Sequence, residues 1–279
     1  MTKTKTLSAI LGAGILAAGV HAQTVKIAYP NWAEGIAMTN LMAAVLEEEM
    51  GYDVELTVAD PGVIYSAVAA GDQDLFLDAW LPNTHEPYWD EYGDQLENLG
   101  TTFGNAITGL VVPTYMEVDS IEDLNSIASD LDNKIIGIGT GAGIYRNTNV
   151  AINEYDLELV QVSSSGPAMT AALGDAIENN EPIVITGWKP HWMFGRYDLK
   201  VLNDPLGVYP IDGCRKVARP GFQQDMPEVA ELMLNFTMTE DQLLDLMIAI
   251  DDSNDDPRDV ASDWMRRNQP AVDSWIPRS

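Results

Sequence analysis

Two stretches of this chain end in the same way. Asp74-Leu75-Phe76-Leu77 leads into Asp78-Ala79-Trp80-Leu81-Pro82, and Pro182-Ile183-Val184-Ile185 leads into Thr186-Gly187-Trp188-Lys189-Pro190. Each is an apolar run of strand character that stops at Trp-x-Pro. Proline cannot donate to a ladder, and it restricts the residue before it. Two more landmarks keep the same spacing, Lys26 with Lys134 and Gly35 with Gly143. All three pairs lie 108 positions apart (134 − 26, 143 − 35, 188 − 80). A repeat that holds its register over three landmarks predicts two similar lobes. A chain of 279 residues is long enough for both.

The elements expected between the landmarks follow one order twice. The first half predicts a strand over 25–29, a helix over 36–50, a strand over 52–58, a helix over 61–70 and the strand ending at Trp80. A helix over 86–92 and a strand over 108–113 follow. The second half predicts a strand over 133–138, a glycine-rich turn over 139–143 and a helix over 144–155. A strand over 157–162, a helix over 167–177 and the strand ending at Trp188 complete it. From Met226 onward the apolar spacing is helical, and Thr239 with Gln242 forms a capping box. These tail helices read as packing elements.

The charge balance is 15 basic against 43 acidic residues, a formal net charge of −28. That excludes nucleic acid and anionic membranes as partners, since both need a basic face. The acidic surplus reads as a solvated surface. The lone cysteine, Cys214, allows no internal disulfide and reads as a small buried residue. Residues 1–22 read as a cleaved export signal: Lys3 and Lys5 supply positive charge, 7–20 is apolar, and Val20-His21-Ala22 fits a small-x-small cleavage site. The expected mature protein is soluble and periplasmic, and begins near Gln23.

Three of the seven tryptophans stand out. Trp32, Trp80 and Trp188 each follow a strand and are expected in a turn, where an aromatic lines a cleft better than it fills a core. Three convergent indoles can hold a quaternary ammonium by cation–π attraction. Trp89, Trp192, Trp264 and Trp275 read as packing residues. A second group suits an anion. Gly139-Thr140-Gly141-Ala142-Gly143-Ile144 follows a strand and opens a helix, so its backbone N–H groups point outward with the helix dipole. The run lacks the third glycine of a GxGxxG dinucleotide fingerprint, so a small carboxylate fits better than phosphate. His85, five residues past Trp80, can donate to the same carboxylate. No HExxH, GxSxG or metal-spaced cysteine pair is present. The chain therefore reads as no enzyme, with no cofactor and no metal. The acidic run 251–256 lacks the glycine and distal glutamate of a calcium loop.

These residues resemble the substrate-binding proteins of ABC importers for compatible solutes, the glycine betaine/proline betaine binders. The resemblance rests on Ala79-Trp80-Leu81-Pro82-Asn83-Thr84-His85, on Gly109-Leu110-Val111-Val112-Pro113, and on the run from Ile185 to Phe194. It implies a prism of Trp32, Trp80 and Trp188 around the cationic head. It implies that Gly143 and Ile144 supply amides, and His85 a side-chain donor, to the carboxylate. Choline-binding relatives tend to have a tyrosine near the Leu-Val-Val-Pro strand, where this chain reads Ala106-Ile107-Thr108-Gly109. They also place an acid two residues after the first tryptophan, here Glu34. The missing tyrosine and His85 favour betaine, while Glu34 keeps choline open. Glu34 can also be read as a solvated acid at a helix start.

The expected fold is α/β, a two-lobed periplasmic-binding-protein fold of type II with the ligand cleft between the lobes. Residues 23–112 plus 217–279 are expected to form the first lobe and 113–216 the second. The expected ligand is a small zwitterion: glycine betaine, proline betaine or dimethylsulfoniopropionate. The expected partner is the membrane permease of an ABC importer, with the binding protein a monomer. The alternatives are a choline-binding protein of the same fold and a secreted hydrolase.

Overall fold

The computed structural model describes residues 23–278, so the export signal expected over 1–22 lies outside the described residues. The first lobe opens with β1 (Thr24–Tyr29), α1 (Ala33–Ala44), β2 (Asp53–Val58), α2 (Pro61–Ala70) and β3 (Leu75–Leu81). α3 (Glu86–Tyr92) and the long β4 (Glu97–Pro113) follow. The second lobe holds β5 (Lys134–Ile136), α4 (Gly143–Glu154), β6 (Val160–Val162), α5 (Gly166–Asn179), β7 (Ile185–Lys189), α6 (Met193–Arg196) and β8 (Leu199–Val201). The chain returns through β9 (Asp212–Ala218). It ends in the helices α7 (Phe222–Asp225), α8 (Pro227–Asn235), α9 (Glu240–Asp252), α10 (Pro257–Arg267) and α11 (Gln269–Trp275).

The repeat is visible in the pairing. β1 runs parallel to β2 and to β3, and β5 runs parallel to β6 and to β7. The central strands β3 and β7 each then take an antiparallel neighbour, β9 and β4 respectively. Helices follow β1 and β5 in both lobes, as a parallel crossover requires. Pro82 and Pro190 both follow cis peptide bonds.

β4 is shared between the sheets. Its first part, as far as Ala106, pairs with β9 in the first lobe, and Ile107 onward pairs with β7 and β8 in the second. β9 pairs wholly within the first lobe. The chain therefore changes sheet at 106/107 and has returned by Asp212, earlier than the boundaries expected at 112/113 and 216/217. The crossing follows Gly104-Asn105, where Asn105 takes a positive φ of 54° and the pairing with β9 shifts register between Phe103 and Ala106, although the strand itself continues.

The tryptophans expected in turns after β3 and β7 are in fact late residues of those strands, while Trp32 is the residue before the first turn of α1. The helix expected over 36–50 begins at Ala33 and passes into a π-helical turn, Val45–Glu49. The tail helices pack on α1. Arg258 of α10 pairs with Glu47 at 2.6 Å, and Ser262 donates to Glu48. Trp264 is fully buried and donates to Asp245 of α9 at 2.8 Å. Trp275 is buried edge-on against Phe236. Cys214 is buried, as expected.

The tail is thus core for the helix that begins at Trp32. Trp264→Ala should destabilise the protein by about 3–5 kcal/mol, the usual cost of emptying a buried tryptophan site. Chemical denaturation checks this, and an unchanged midpoint would separate the tail from the core.

Candidate functional site

The three tryptophans, His85, Gly143 and Ile144 line one cavity. Glu34, Thr84, Thr108, Ile138 and Ala142 complete its wall. β1, β3 and the start of α1 bring Trp32, Glu34, Trp80, Thr84 and His85 from the first lobe. β4, β7 and the start of α4 bring the rest from the second. Thr108 lies opposite Trp188 in the β4–β7 pairing, which sets both on the same face of the sheet.

The aromatic part is held from below. Trp32 occupies the N-cap of α1 without a side-chain cap, a position where Ser, Thr, Asp or Asn would contribute about 1 kcal/mol. The helix gives up that cap, and an indole stands at the cleft instead. Its ring centre lies 6.4 Å from Trp188 and 5.9 Å from His85. Trp188 donates its indole N–H to Glu34 at 2.7 Å, a bond between the lobes. Trp80 donates its own to Asp78 at 2.9 Å. His191 packs edge-on against Trp188, and its Nδ1 accepts the Met193 N–H.

Glu34 is not a solvated helix-start acid. It is fully buried, and its Oε1 has no hydrogen-bond partner among the described residues. Burial, and then the charge of Asp78, push its carboxyl well above the usual range. The sequence reading also passed over Thr108 and Thr84. The alternation of β4 about the Leu-Val-Val-Pro run could have pointed to Thr108.

The polar end is built around His85. Its Nδ1 accepts the backbone N–H of Trp80 at 3.2 Å and lies 3.4 Å from the Tyr65 hydroxyl. The proton of the neutral ring therefore belongs on Nε2. That Nε2 is buried with no partner among the described residues. Burial lowers the imidazole pKa to about 3, aided by the charge of Arg146, so the ring is a neutral donor at ordinary pH. Asp212 fixes the loop before it, accepting from the Asn83 and Thr84 N–H groups at 2.7 and 2.9 Å and from the Thr84 hydroxyl.

Across the cleft α4 begins at Gly143. The first-turn N–H groups of Gly143 and Ile144 have no partner within the helix, and its dipole favours an anion there. Gly143 must be glycine in this closed arrangement, because a Cβ would lie 2.0 Å from the Thr84 carbonyl oxygen. Tyr88 also reaches across, to the Gly141 carbonyl at 2.8 Å, and Arg146 reaches the Asn83 carbonyl at 3.2 Å. The residues read as packing behave so. Trp192 lies under the Arg196 guanidinium at 4.8 Å, and Trp89 packs on the cluster of Ile64 and Tyr65. No group of side chains suited to a metal ion occurs among the described residues.

A chain with this fold and cavity can be compared with known proteins. It is 35% identical over 167 residues to the glycine betaine/carnitine transport binding protein GbuC of Listeria monocytogenes. That match takes in 58% of this chain and 54% of the relative, so the chain spans about half the length of the curated relative it matches. Lactococcal OpuAC, in its closed-liganded conformation with glycine betaine, superposes with a TM-score of 0.86 at 38% identity, covering 91% of this chain and 100% of that one. The glycine betaine/L-proline-binding protein ProX of Borrelia burgdorferi gives 0.87 at 33% identity, covering 92% and 97%. An ABC-transporter choline-binding protein in complex with choline gives 0.82 at 25% identity, covering 90% and 91%. Residues 23–267 match the model for the substrate-binding domain of ABC-type glycine betaine transport systems, and the chain belongs to that family.

Proposed function

We propose that this protein is an extracytoplasmic receptor that captures glycine betaine or a close methylated relative and delivers it to the permease of an ABC importer. The cationic head sits among Trp32, Trp80 and Trp188. The carboxylate receives hydrogen bonds from the Gly143 and Ile144 amides and from His85 Nε2. The observation that carries this reading is His85. It is a buried neutral donor, unpartnered among the described residues, in the same cavity as three indoles and a free helix start. A cation site at one end and an anion site at the other match a small zwitterion. No helix among the described residues is long and apolar enough to cross a membrane.

Choline is the second reading. Its support is Glu34, which lines the cavity and whose Oε1 has no hydrogen-bond partner among the described residues. Titration calorimetry with glycine betaine, proline betaine, dimethylsulfoniopropionate and choline decides between them. His85→Ala should weaken betaine binding by about 1.5–3 kcal/mol, the worth of a hydrogen bond to a charged group. Choline has no carboxylate and should change much less. Equal losses for the two ligands would reduce His85 to a support for the Trp80 loop.

The ligand bridges two lobes, so binding favours the closed form. Gly143→Ala sets a methyl against the Thr84 carbonyl and opposes closure. Overpacking of this kind costs about 1–3 kcal/mol, so betaine should bind about ten-fold more weakly or worse. Small-angle scattering should show compaction on adding betaine to the wild type and less in the variant. Equal compaction in both would place the closing contact elsewhere.

A further inference from the structure

Asp78 lies behind the cage, outside its lining. It is fully buried on β3, and its two oxygens differ. Oδ1 accepts the Trp80 indole N–H at 2.9 Å and the Cys214 S–H at 3.3 Å. Oδ2 has no partner among the described residues. That oxygen lies against the first turn of α1, since a Cβ on Gly35 would come within 3.0 Å of it. The next residue toward the helix start is Glu34, which takes the indole N–H of Trp188. Two opposed walls of the cage are therefore fixed by two buried carboxyls that share one corner of the protein.

The surroundings offer these acids no counter-charge. The titratable groups that bear on Asp78 are Glu34 of α1, Cys214 of β9 and Tyr65 of α2, none of them cationic. The Lys216 ammonium, also on β9, is directed to the carbonyls of Phe236 and Thr101. A buried charge without a partner is costly. The cavity beside the pair is where a cation would relieve that cost.

We propose that Asp78 is a positioning residue of the cage, which fixes the Trp80 wall through its indole N–H and, when ionised, supplies negative charge that the ligand's cationic head offsets. This rests on the quaternary-ammonium reading above. An ionised acceptor also holds the indole more firmly than a neutral one. The consequence is a dependence on pH. Burial raises the Asp78 carboxyl to about 6. A cation nearby favours the ionised form, so the bound ligand lowers that value. Affinity is then highest above about 6 and falls as the pH drops through it. His85 and His191, both lowered to about 3, stay neutral across that window and do not supply the slope.

The test compares glycine betaine with 3,3-dimethylbutanoate, which has the same shape but an uncharged head. Wild-type protein should prefer betaine, and between about pH 7.5 and about pH 5.5 that preference should shrink as Asp78 takes up its proton. Asp78→Asn keeps an acceptor for Trp80 but removes the charge. It should bind betaine roughly ten-fold more weakly at the higher pH, leave the uncharged analogue nearly unchanged, and flatten the pH profile. Equal weakening for both ligands, or an unaltered profile, would overturn the proposal. Should the variant fail to fold, the wild-type profile still decides, because a preference that is constant over the window rules out an ionising Asp78. A wild type that binds no betaine at any pH would instead overturn the functional reading beneath it.

Discussion

Glu34 accepts the indole N–H of Trp188 at 2.7 Å from the opposite lobe, and both groups are buried there. That contact demands that the start of α1 and the end of β7 approach to hydrogen-bond distance. The rest of the closed arrangement follows from it. The Thr84 carbonyl comes so near α4 that only glycine fits at 143, and Tyr88 and Arg146 reach carbonyls of the other lobe. A buried carboxyl is expensive unless it is hydrogen-bonded. Here the donors are the tryptophans themselves, so the groups that form the cage also satisfy one oxygen of each acid beneath it. Loss of either indole would leave a buried acid poorer by one donor, which couples the stability of the closed form to the integrity of the site.

The repeat explains the scaffold, and the departures from it explain the chemistry. Trp80 and Trp188 are equivalent residues near the ends of equivalent strands. Gly35 and Gly143 are equivalent residues in the first turns of equivalent helices, yet they make room for different things. Gly35 admits the Asp78 carboxylate, whereas Gly143 admits the Thr84 carbonyl. The two helix starts differ in charge as well. α1 carries Glu34 in its first turn, while α4 has no acid there. A helix start favours an anion. One of the two already holds a carboxyl of the protein itself, and the other carries no acid of its own. Duplication thus yields two similar ends, and one acidic residue makes them opposite in kind.

Much of this was legible because it depends on local pattern. Six of the eleven residues that line the cavity were named from local pattern: Trp80 and Trp188 at the ends of apolar runs, Trp32 after the first strand, His85 five residues past Trp80, and Gly143 and Ile144 at the glycine-rich turn. The misses have physical causes. Glu34 reads as an ordinary first-turn acid, and nothing local distinguishes a solvated one from one buried by a strand on the far lobe. β4 changes sheets just after Gly104-Asn105, a pair that marks a backbone irregularity but not which partner the strand takes on either side of it. The tryptophans near the ends of β3 and β7 remain in their strands, because the proline that stops each strand comes two residues after the tryptophan. Asp78 alternates with Trp80 on a strand whose residues are all buried, so the alternation that usually marks a polar face was absent.

The state of His85 bears on how one cavity could hold both ends of a zwitterion. Its ring centre is 5.9 Å from that of Trp32. A protonated imidazole there would itself be a cation beside an indole face, competing for the same π density and repelling a quaternary ammonium. Burial, with Arg146 adding to it, drives the ring to the neutral form. The backbone N–H of Trp80 fixes which nitrogen keeps the hydrogen. The donor for a carboxylate is then a dipole rather than a charge, and so are the two amides at the start of α4. In the proposed complex the only full positive charge in the cage belongs to the ligand. The same strand end that presents the Trp80 ring to the cation also sets the tautomer of the histidine for the anion, so the two halves of recognition share one backbone position.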